Sequence, residues 1–532
     1  MSNSTTHDYI ILGAGPAGLQ LGYFFKKAGL DYKIIERGSG VATSFKKYPR
    51  HRKLISINKI HTGYDDPETN LRWDWNSLLN DEGILFKEFN QDYFPDADAL
   101  VSYLEEFASR FELNIAFNQD IELITREGKD GMFSLNTKQG DVFQCRRVII
   151  ASGLLKQNEP PIPGIKLTES YSQASLKPED YVNQKVLLIG KGNSAFETAD
   201  GLTESAAVIH VISPNSVRFA WQTHYVGDLR AVNNNFLDTY QLKSQNALLD
   251  AKINSIEKDN GKYYVNVSYA HAAGEQEVLV YDKVINCTGF KFMDDFFADD
   301  IRPTLCAKQK FPVQTHEWES ENVKDMFFAG ILSHGRDYKK TTSGFIHGFR
   351  YNIKALVTLL LKKYHDQPVP AKTVRTDVDS LATQTLARIN RSSALWQQFG
   401  FLADAIDMTL SADSGLYYED LPLDYIQKVL LEKCPHYMTV TLEFGTCKNN
   451  PFAIDRNPSP EKAQDSAFLH PVFRQFKNGK LVSEFHLLED LHAEWKNESQ
   501  HIKPLKTYLA AALASAAPTE SAAAEPRVLQ NA

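Results

Sequence analysis

The sequence predicts an α/β chain with two Rossmann-like dinucleotide-binding domains, the second inserted in the first, and an α+β region toward the C-terminus. Three observations predict it. The apolar run Tyr9-Ile10-Ile11-Leu12 leads directly into Gly13-Ala14-Gly15-Pro16-Ala17-Gly18. A second run, Val186-Leu187-Leu188-Ile189, leads into Gly190-Lys191-Gly192-Asn193-Ser194-Ala195. The length, 532 residues, exceeds what one core fills, so about three domains are expected.

Each glycine-rich turn takes the chain from a strand into a helix, and the missing side chains let backbone N–H groups at the helix N-terminus approach a pyrophosphate. Two such turns hold two dinucleotides at once, which points to a flavin fed by a nicotinamide. After the first turn, Leu19, Phe24, Phe25 and Ala28 suit a short amphipathic helix, Gly29 ends it, and Tyr32 to Ile35 read as a second strand. Glu36 closes that strand at the spacing where a carboxylate accepts hydrogen bonds from an adenosine ribose. The candidate FAD contacts are therefore Gly13, Gly15, Pro16, Ala17, Gly18 and Glu36, with Arg37, Ser44 and Phe45 just past the strand.

The second copy repeats the layout with Ala195 at the third glycine position, which the fingerprint allows. Counting onward as in the first copy lands on Ser213, after the strand Val208 to Ile212. A carboxylate there would repel a 2′-phosphate; Ser213 does not, and Arg218 downstream can pair with one through its planar fork. The expected contacts are Gly190, Gly192, Asn193, Ser194, Ala195, Ser213 and Arg218, and the expected cofactor is NADPH.

Further along, Arg147 to Gly153 and Val284 to Gly289 read as strands closed by small residues, which adds Ser152, Gly153, Thr288 and Gly289 to the cofactor set. Met326-Phe327-Phe328-Ala329-Gly330 precedes a segment in which Ile346, Phe349, Ile353, Leu356, Val357 and Leu360 follow helical spacing. A helix starting at Ser343 or Gly344 would bring its N-terminus, with Gly330 and Phe345, toward the flavin. The domains follow: 1–165 and 284–365 form the FAD domain, 166–283 the nicotinamide domain, and 366–505 the α+β region. Residues 506–532 are an Ala-rich tail expected to be disordered. The Pro160-Pro161-Ile162-Pro163-Gly164 stretch is the expected hinge.

The formal net charge of −8 and the pI of about 6.0 disfavour nucleic acid as a partner. No apolar run approaches the length of a membrane span, and Met1 to His7 leave no room for a secretory signal before the first strand. A cytoplasmic protein is the expectation. Cys145, Cys287, Cys306, Cys434 and Cys447 form no CxxC pair, which argues against exchange of a dithiol with the flavin, and their spacings give no metal set.

With Tyr93-Phe94-Pro95-Asp96-Ala97 ahead of a helix, the paired signatures resemble the flavin-containing monooxygenase superfamily. The chain is similar in more detail to the FAD-dependent oxidoreductase domain-containing family, the endoplasmic-reticulum flavoproteins. The similar strings are Tyr48 to Lys59, Gly192 to Thr198, Thr223 to Arg230, Gly344 to Arg350 and Phe468 to Val472. The resemblance implies FAD and NADPH as cofactors, and O₂ as the oxidant in oxygenation of a small organic substrate at nitrogen, sulfur or a ketone. It also implies an asparagine beside the flavin, for which Asn58 and Asn76 are the catalytic candidates, since an amide donates hydrogen bonds without titrating. Where the monooxygenase fingerprint carries a histidine, this chain has Tyr171-Ser172-Gln173.

Two alternatives stand beside oxygenation: an NADPH-dependent reductase passing electrons to a protein or quinone acceptor, and a flavin-stabilised interaction scaffold. The basic cluster Lys46, Lys47, Arg50, His51, Arg52 and Lys53 reads either as a seat for a phosphate-bearing or carrier-bound substrate or as a solvated loop. Trp221, His224, Tyr225, Asp228 and Arg230 read either as a substrate entrance or as interdomain packing, and His334 and His347 either as proton donors or as structural histidines.

Overall fold

The computed structural model describes residues 5–240, 246–306, 308–411, 413–445 and 454–514, and the chain divides into two compact units, Met1–Tyr364 and His365–Ala532. The first unit is built on β1 (Thr5–Leu12), whose residues Tyr9 to Leu12 are buried as a continuous apolar run, the pattern of a strand covered on both faces. β2 (Tyr32–Ile35) and β6 (Val142–Ile150) flank β1 in parallel, and β3 (Ile115–Ala116), β5 (Phe133–Thr137) and β4 (Ile121–Arg126) complete the order β3-β2-β1-β6-β5-β4. The helix Pro16–Lys27 makes the crossover from β1 to β2, with Pro16 in its first turn, where a missing N–H costs nothing. Asp96 caps the helix Ala97–Arg110 by accepting from the Asp98 N–H at 2.7 Å.

β7 (Lys156–Gln157), beyond β6, carries the chain out of this sheet. The inserted sheet comprises β8 (Glu169–Ser170), β9 (Lys185–Ile189), β10 (Val208–Ser213), β11 (Asn246–Asp259), β12 (Lys262–Tyr269), β13 (Gln276–Tyr281) and β14 (Lys283–Asn286), in the order β13-β12-β11-β10-β9-β14-β8. β15 (Phe290–Lys291) pairs antiparallel with β7, so the outgoing and returning chains cross side by side. β16 (Met326–Phe328) then rejoins the first sheet beside β6, in register Phe327↔Ile149.

The six apolar residues expected on one helix face are all buried, but the helix is Ile346–His365. It begins after the expected Ser343 or Gly344 because Thr342 to Phe345 form a turn: Phe345 N donates to the Thr342 carbonyl at 3.0 Å, and Phe349 N is the donor to Phe345 O.

The second unit is a six-stranded antiparallel sheet, with β17 (Lys372–Arg375), β18 (Leu402–Asp407), β19 (Ser414–Pro422), β20 (His436–Phe444), β21 (Leu469–Lys477) and β22 (Lys480–His486) in the order β17-β19-β18-β20-β21-β22. Its core brings Leu381 and Ile389 of the helix Val378–Arg391 against Met438, Phe473 and Trp495. Arg388 is held there by Asp404 at 2.8 Å and Asp420 at 2.7 Å, with the Tyr417 hydroxyl also donating to Asp404. The expected tail from 506 needs correction. The helix Lys503–Ala514 buries Leu505, Leu509 and Ala512 in this core, because leucines one turn apart give the alanine-rich segment an apolar face. Residues 515–532 lie outside the described residues.

Candidate active site

The three glycines of the first turn have three separate geometric reasons. Gly13 sits at φ +110°, and a Cβ there would come within 2.8 Å of the Ala151 carbonyl oxygen. A Cβ on Gly18 would collide with the carbonyl of Gly13, so this position sets how closely helix and strand approach. A Cβ on Gly15 would meet nothing within 4 Å, and Gly15 lines a cavity beside the turn. The open space over Gly15 is where a pyrophosphate fits, bounded by backbone N–H groups at the helix N-terminus. Glu36, 6% exposed, braces the turn: Oε2 accepts from Ala14 N at 2.8 Å, and Oε1 accepts from Gly38 N at 2.8 Å and from Thr43 Oγ1 at 3.0 Å.

The second turn repeats the backbone. Gly190 sits at φ +116° with a Cβ position 2.7 Å from the Cys287 carbonyl oxygen, and Gly192 again faces open space. Asn193 opens the helix Asn193–Leu202 and ties down the 223–230 segment. Its Nδ2 donates to the carbonyls of Gly227 and Asp228 at 3.2 and 3.0 Å, while its Oδ1 accepts from Arg230 N at 3.0 Å. The Ser213 hydroxyl donates to the Asn215 carbonyl at 2.7 Å.

Sequence reasoning missed what stands beside Ser213. Asp250 is its register partner on β11 and forms an ion pair with Lys191 from inside the glycine turn. Burial opposes ionisation of Asp250, but hydrogen bonds from Lys191, Ser216 and His271 hold its carboxyl at about 2. A carboxylate is therefore present after all, neutralised by a lysine that is 4% exposed. Arg218 pairs with Asp228 at 3.2 Å and keeps an exposed guanidinium.

The cavity has a volume of about 540 Å³. It brings together Gly13, Gly15, Pro16, Ala17, Glu36, Arg37, Ser44, Phe45, Ser152, Gly153, Asn193, Ser194, Gly330 and Phe345 from the expected set. Contacts from both glycine turns on one cavity fit a flavin and a nicotinamide that meet. Gly18, Gly190, Gly192, Ala195, Ser213, Arg218, Thr288 and Gly289 do not line it. Thr288 instead donates from Oγ1 to the Asn158 carbonyl at 2.8 Å and locks the strand crossing.

The two candidate asparagines stand off the cavity. Asn58 donates from Nδ2 to the Asn90 carbonyl at 2.7 Å. Asn76 donates to the Ile57 carbonyl at 3.1 Å and accepts from Ser56 Oγ at 2.5 Å. Both are buried, and neither lines the cavity. They hold the loop at 54–78 in shape, a role that residue type alone does not separate from catalysis.

Three residues of the basic cluster are tied to the fold. Arg50 donates to the carbonyls of Tyr171 and Ala174 at 2.5 and 2.7 Å, Lys46 pairs with Glu105 at 2.8 Å, and Arg52 pairs with Asp98 at 2.6 Å. His334 accepts through Nε2 from Lys339 N at 3.0 Å; burial and the neighbouring lysines push it down to about 3. Cys145, Cys287, Cys306 and Cys434 are free, and Cys447 lies outside the described residues.

Residues outside the expected cofactor set complete the walls. Tyr171, in place of the fingerprint histidine, lines the cavity, stacks on Tyr48 at 5.9 Å and donates its hydroxyl to Glu197. Burial pushes Glu197 up to about 7, against the opposing effects of Tyr171 and Arg50. Trp75, Lys310 and His347 are also on the wall. No local motif marks these residues, because they come from five separated segments.

Two nucleotide-binding turns opening on one cavity define an FAD- and NAD(P)H-dependent oxidoreductase. The chain belongs to the pyridine nucleotide-disulphide oxidoreductase family, whose model matches residues 10–330. FAD and NADPH are its cofactors. Its sequence is 36% identical to mouse FAD-dependent oxidoreductase domain-containing protein 2, over 94% of this chain and 83% of that protein. It is 28% identical to the Arabidopsis thaliana probable indole-3-pyruvate monooxygenase YUCCA4, over 39% of this chain and 47% of that protein. In fold it is similar to the bacillithiol disulfide reductase of Staphylococcus aureus, with a TM-score of 0.52 and 20% identity over 68% of this chain and 99% of that one. No helix among the described residues is long and apolar enough to cross a membrane.

Proposed function

We propose that this chain is an NADPH-dependent flavoprotein reductase that delivers electrons to a planar, quinone-type acceptor entering the cavity, without inserting oxygen. One observation carries the reading: both asparagines suited to stabilise transferred oxygen are engaged with backbone carbonyls and stand outside the cavity. Among the described residues Cys145, Cys287 and Cys434 are buried and no two cysteines pair, which favours a route without an internal dithiol. Bound FAD supplies two-electron acceptance from a nicotinamide hydride. Glu197 and Tyr171 hold a proton beside the second turn, and Arg218 is the proposed contact for the 2′-phosphate that distinguishes NADPH from NADH.

The monooxygenase reading is favoured by the sequence likeness to YUCCA4 and would use the same cavity with O₂ as oxidant. Anaerobic NADPH oxidation with menadione tests between them. Equimolar NADPH consumption and quinone reduction without O₂ is expected. Failure of anaerobic turnover, together with a product that gains one oxygen atom from labelled O₂, overturns the reductase reading.

A further inference from the structure

His347, in the first turn of the helix Ile346–His365, lines the cavity with no exposed surface, and neither ring nitrogen makes a well-formed hydrogen bond, the Trp75 backbone offering only a weak one. A buried imidazole with both nitrogens poorly satisfied is costly, and such groups in native proteins are normally completed by a ligand or water. Burial, then the charges of Arg350 and Arg230, hold His347 neutral, against a small pull the other way from the Trp75 backbone. A neutral ring offers one N–H donor and one acceptor.

Its surroundings are cationic and aromatic. The His347 ring stacks on Trp75 with centroids 4.3 Å apart and planes 23° apart. Arg230 sits over the same indole, its Cζ 5.2 Å from the ring centroid. Arg230 stands just behind the cavity lining, tied to it where its Nε donates to the carbonyl of the lining residue Ile55 at 3.3 Å, and no carboxylate among the described residues pairs with this guanidinium. Arg350, which also faces His347, is committed through both terminal nitrogens to the Ser77 and Leu71 carbonyls. Arg230 is thus a half-buried charge with donors to spare, next to a buried ring whose hydrogen-bonding capacity is poorly used.

We infer that Trp75, Arg230 and His347 form a seat for a small planar organic carboxylate, the substrate or acceptor of this cavity. The indole supplies a flat face, the guanidinium the counter-charge, and the imidazole N–H a second donor to the carboxylate. The inference deepens the reductase reading by adding a carboxylate to the planar acceptor, a group that menadione lacks, and it uses that reading only in taking bound flavin as a reporter.

The test is a titration of the oxidised holoenzyme with benzoate and with benzamide, its neutral isostere, following the visible flavin band and tryptophan fluorescence. NADPH is left out, so a failure of the proposed turnover and a failure of this seat are separate results. Benzoate is expected to perturb both signals and to bind at least tenfold more tightly than benzamide. Arg230→Gln should weaken benzoate by about tenfold or more, Arg230→Lys by less, and neither should change benzamide. His347→Phe should keep the stack on Trp75 and the FAD, yet weaken benzoate. Equal affinity for benzoate and benzamide in the unaltered protein overturns the inference without any variant. So does unchanged benzoate affinity in Arg230→Gln, or loss of FAD from His347→Phe, which would assign the imidazole to the cofactor.

Discussion

At the end of the second strand of the FAD domain stands Glu36, which accepts from two backbone N–H groups and a threonine hydroxyl. At the matching place in the inserted domain stands Ser213, with the Lys191–Asp250 ion pair alongside. The glycines around them behave alike: the first of each turn is pressed against a neighbouring carbonyl, and the second faces open space. The shared backbone makes both turns fit a pyrophosphate, and the differing side chains set which ribose each accepts. A carboxylate held only by neutral donors suits an adenosine ribose; a carboxylate cancelled by lysine leaves room for a phosphate.

The strongest way to break this comparison is to fill the two open positions. Gly15→Val should fold but purify nearly colourless, because its side chain takes the pyrophosphate's space, whereas Gly192→Val should stay yellow and lose NADPH binding. Flavin absorbance per chain and NADPH titration read the two effects. A Gly15→Val protein with full flavin would end the assignment of the first turn.

Removing the charge unique to the second turn comes next. Asp250→Ala strands the buried Lys191 ammonium and should cost roughly 3 kcal/mol in urea unfolding. The double variant with Lys191→Met should recover much of that. No recovery would mean that Asp250 acts through Ser216 or His271 instead.

Glu197 sharpens the comparison by pH. Its carboxyl is raised to about 7, so the native state holds the proton more tightly than the unfolded chain. This contribution is fully present below the ordinary carboxylate range and is lost as pH rises through about 7, on the order of 3 kcal/mol in all. Glu197→Gln should flatten the stability profile between pH 5 and pH 8, as equilibrium unfolding across that window would show; an unaltered slope would place the titration elsewhere.

The smallest effect belongs to Arg218. Asp228 keeps Lys339 at 3.4 Å and Thr223 Oγ1 at 2.8 Å when Arg218 is removed. Arg218→Ala should therefore weaken NADPH by only about 1 kcal/mol and leave NADH unchanged. Isothermal titration with both nucleotides checks this, and equal losses for the two would remove Arg218 from the 2′-phosphate.

Much of this was legible in the chain because the signals are local. The apolar runs, the glycine turns, Glu36 and Ser213 lie within single βαβ units, where spacing in sequence is spacing in space. The helix face from Ile346 to Leu360 was legible by its period. The alanine-rich helix Lys503–Ala514 was not, because what orders it is the core that Leu505, Leu509 and Ala512 enter.

The sequence alone thus determined the architecture of two nucleotide turns and the cofactor class they take, since backbone geometry at a glycine turn needs no distant partner. Tertiary structure decided which polar side chains face the cavity. It turned Asn58 and Asn76 to the backbone, set Asp250 beside Ser213, and left His347 poorly bonded next to Trp75 and Arg230. The physical reason is that whether a buried polar atom is spent on the fold or free for a ligand depends on partners far away in sequence, which only the folded chain brings within bonding distance.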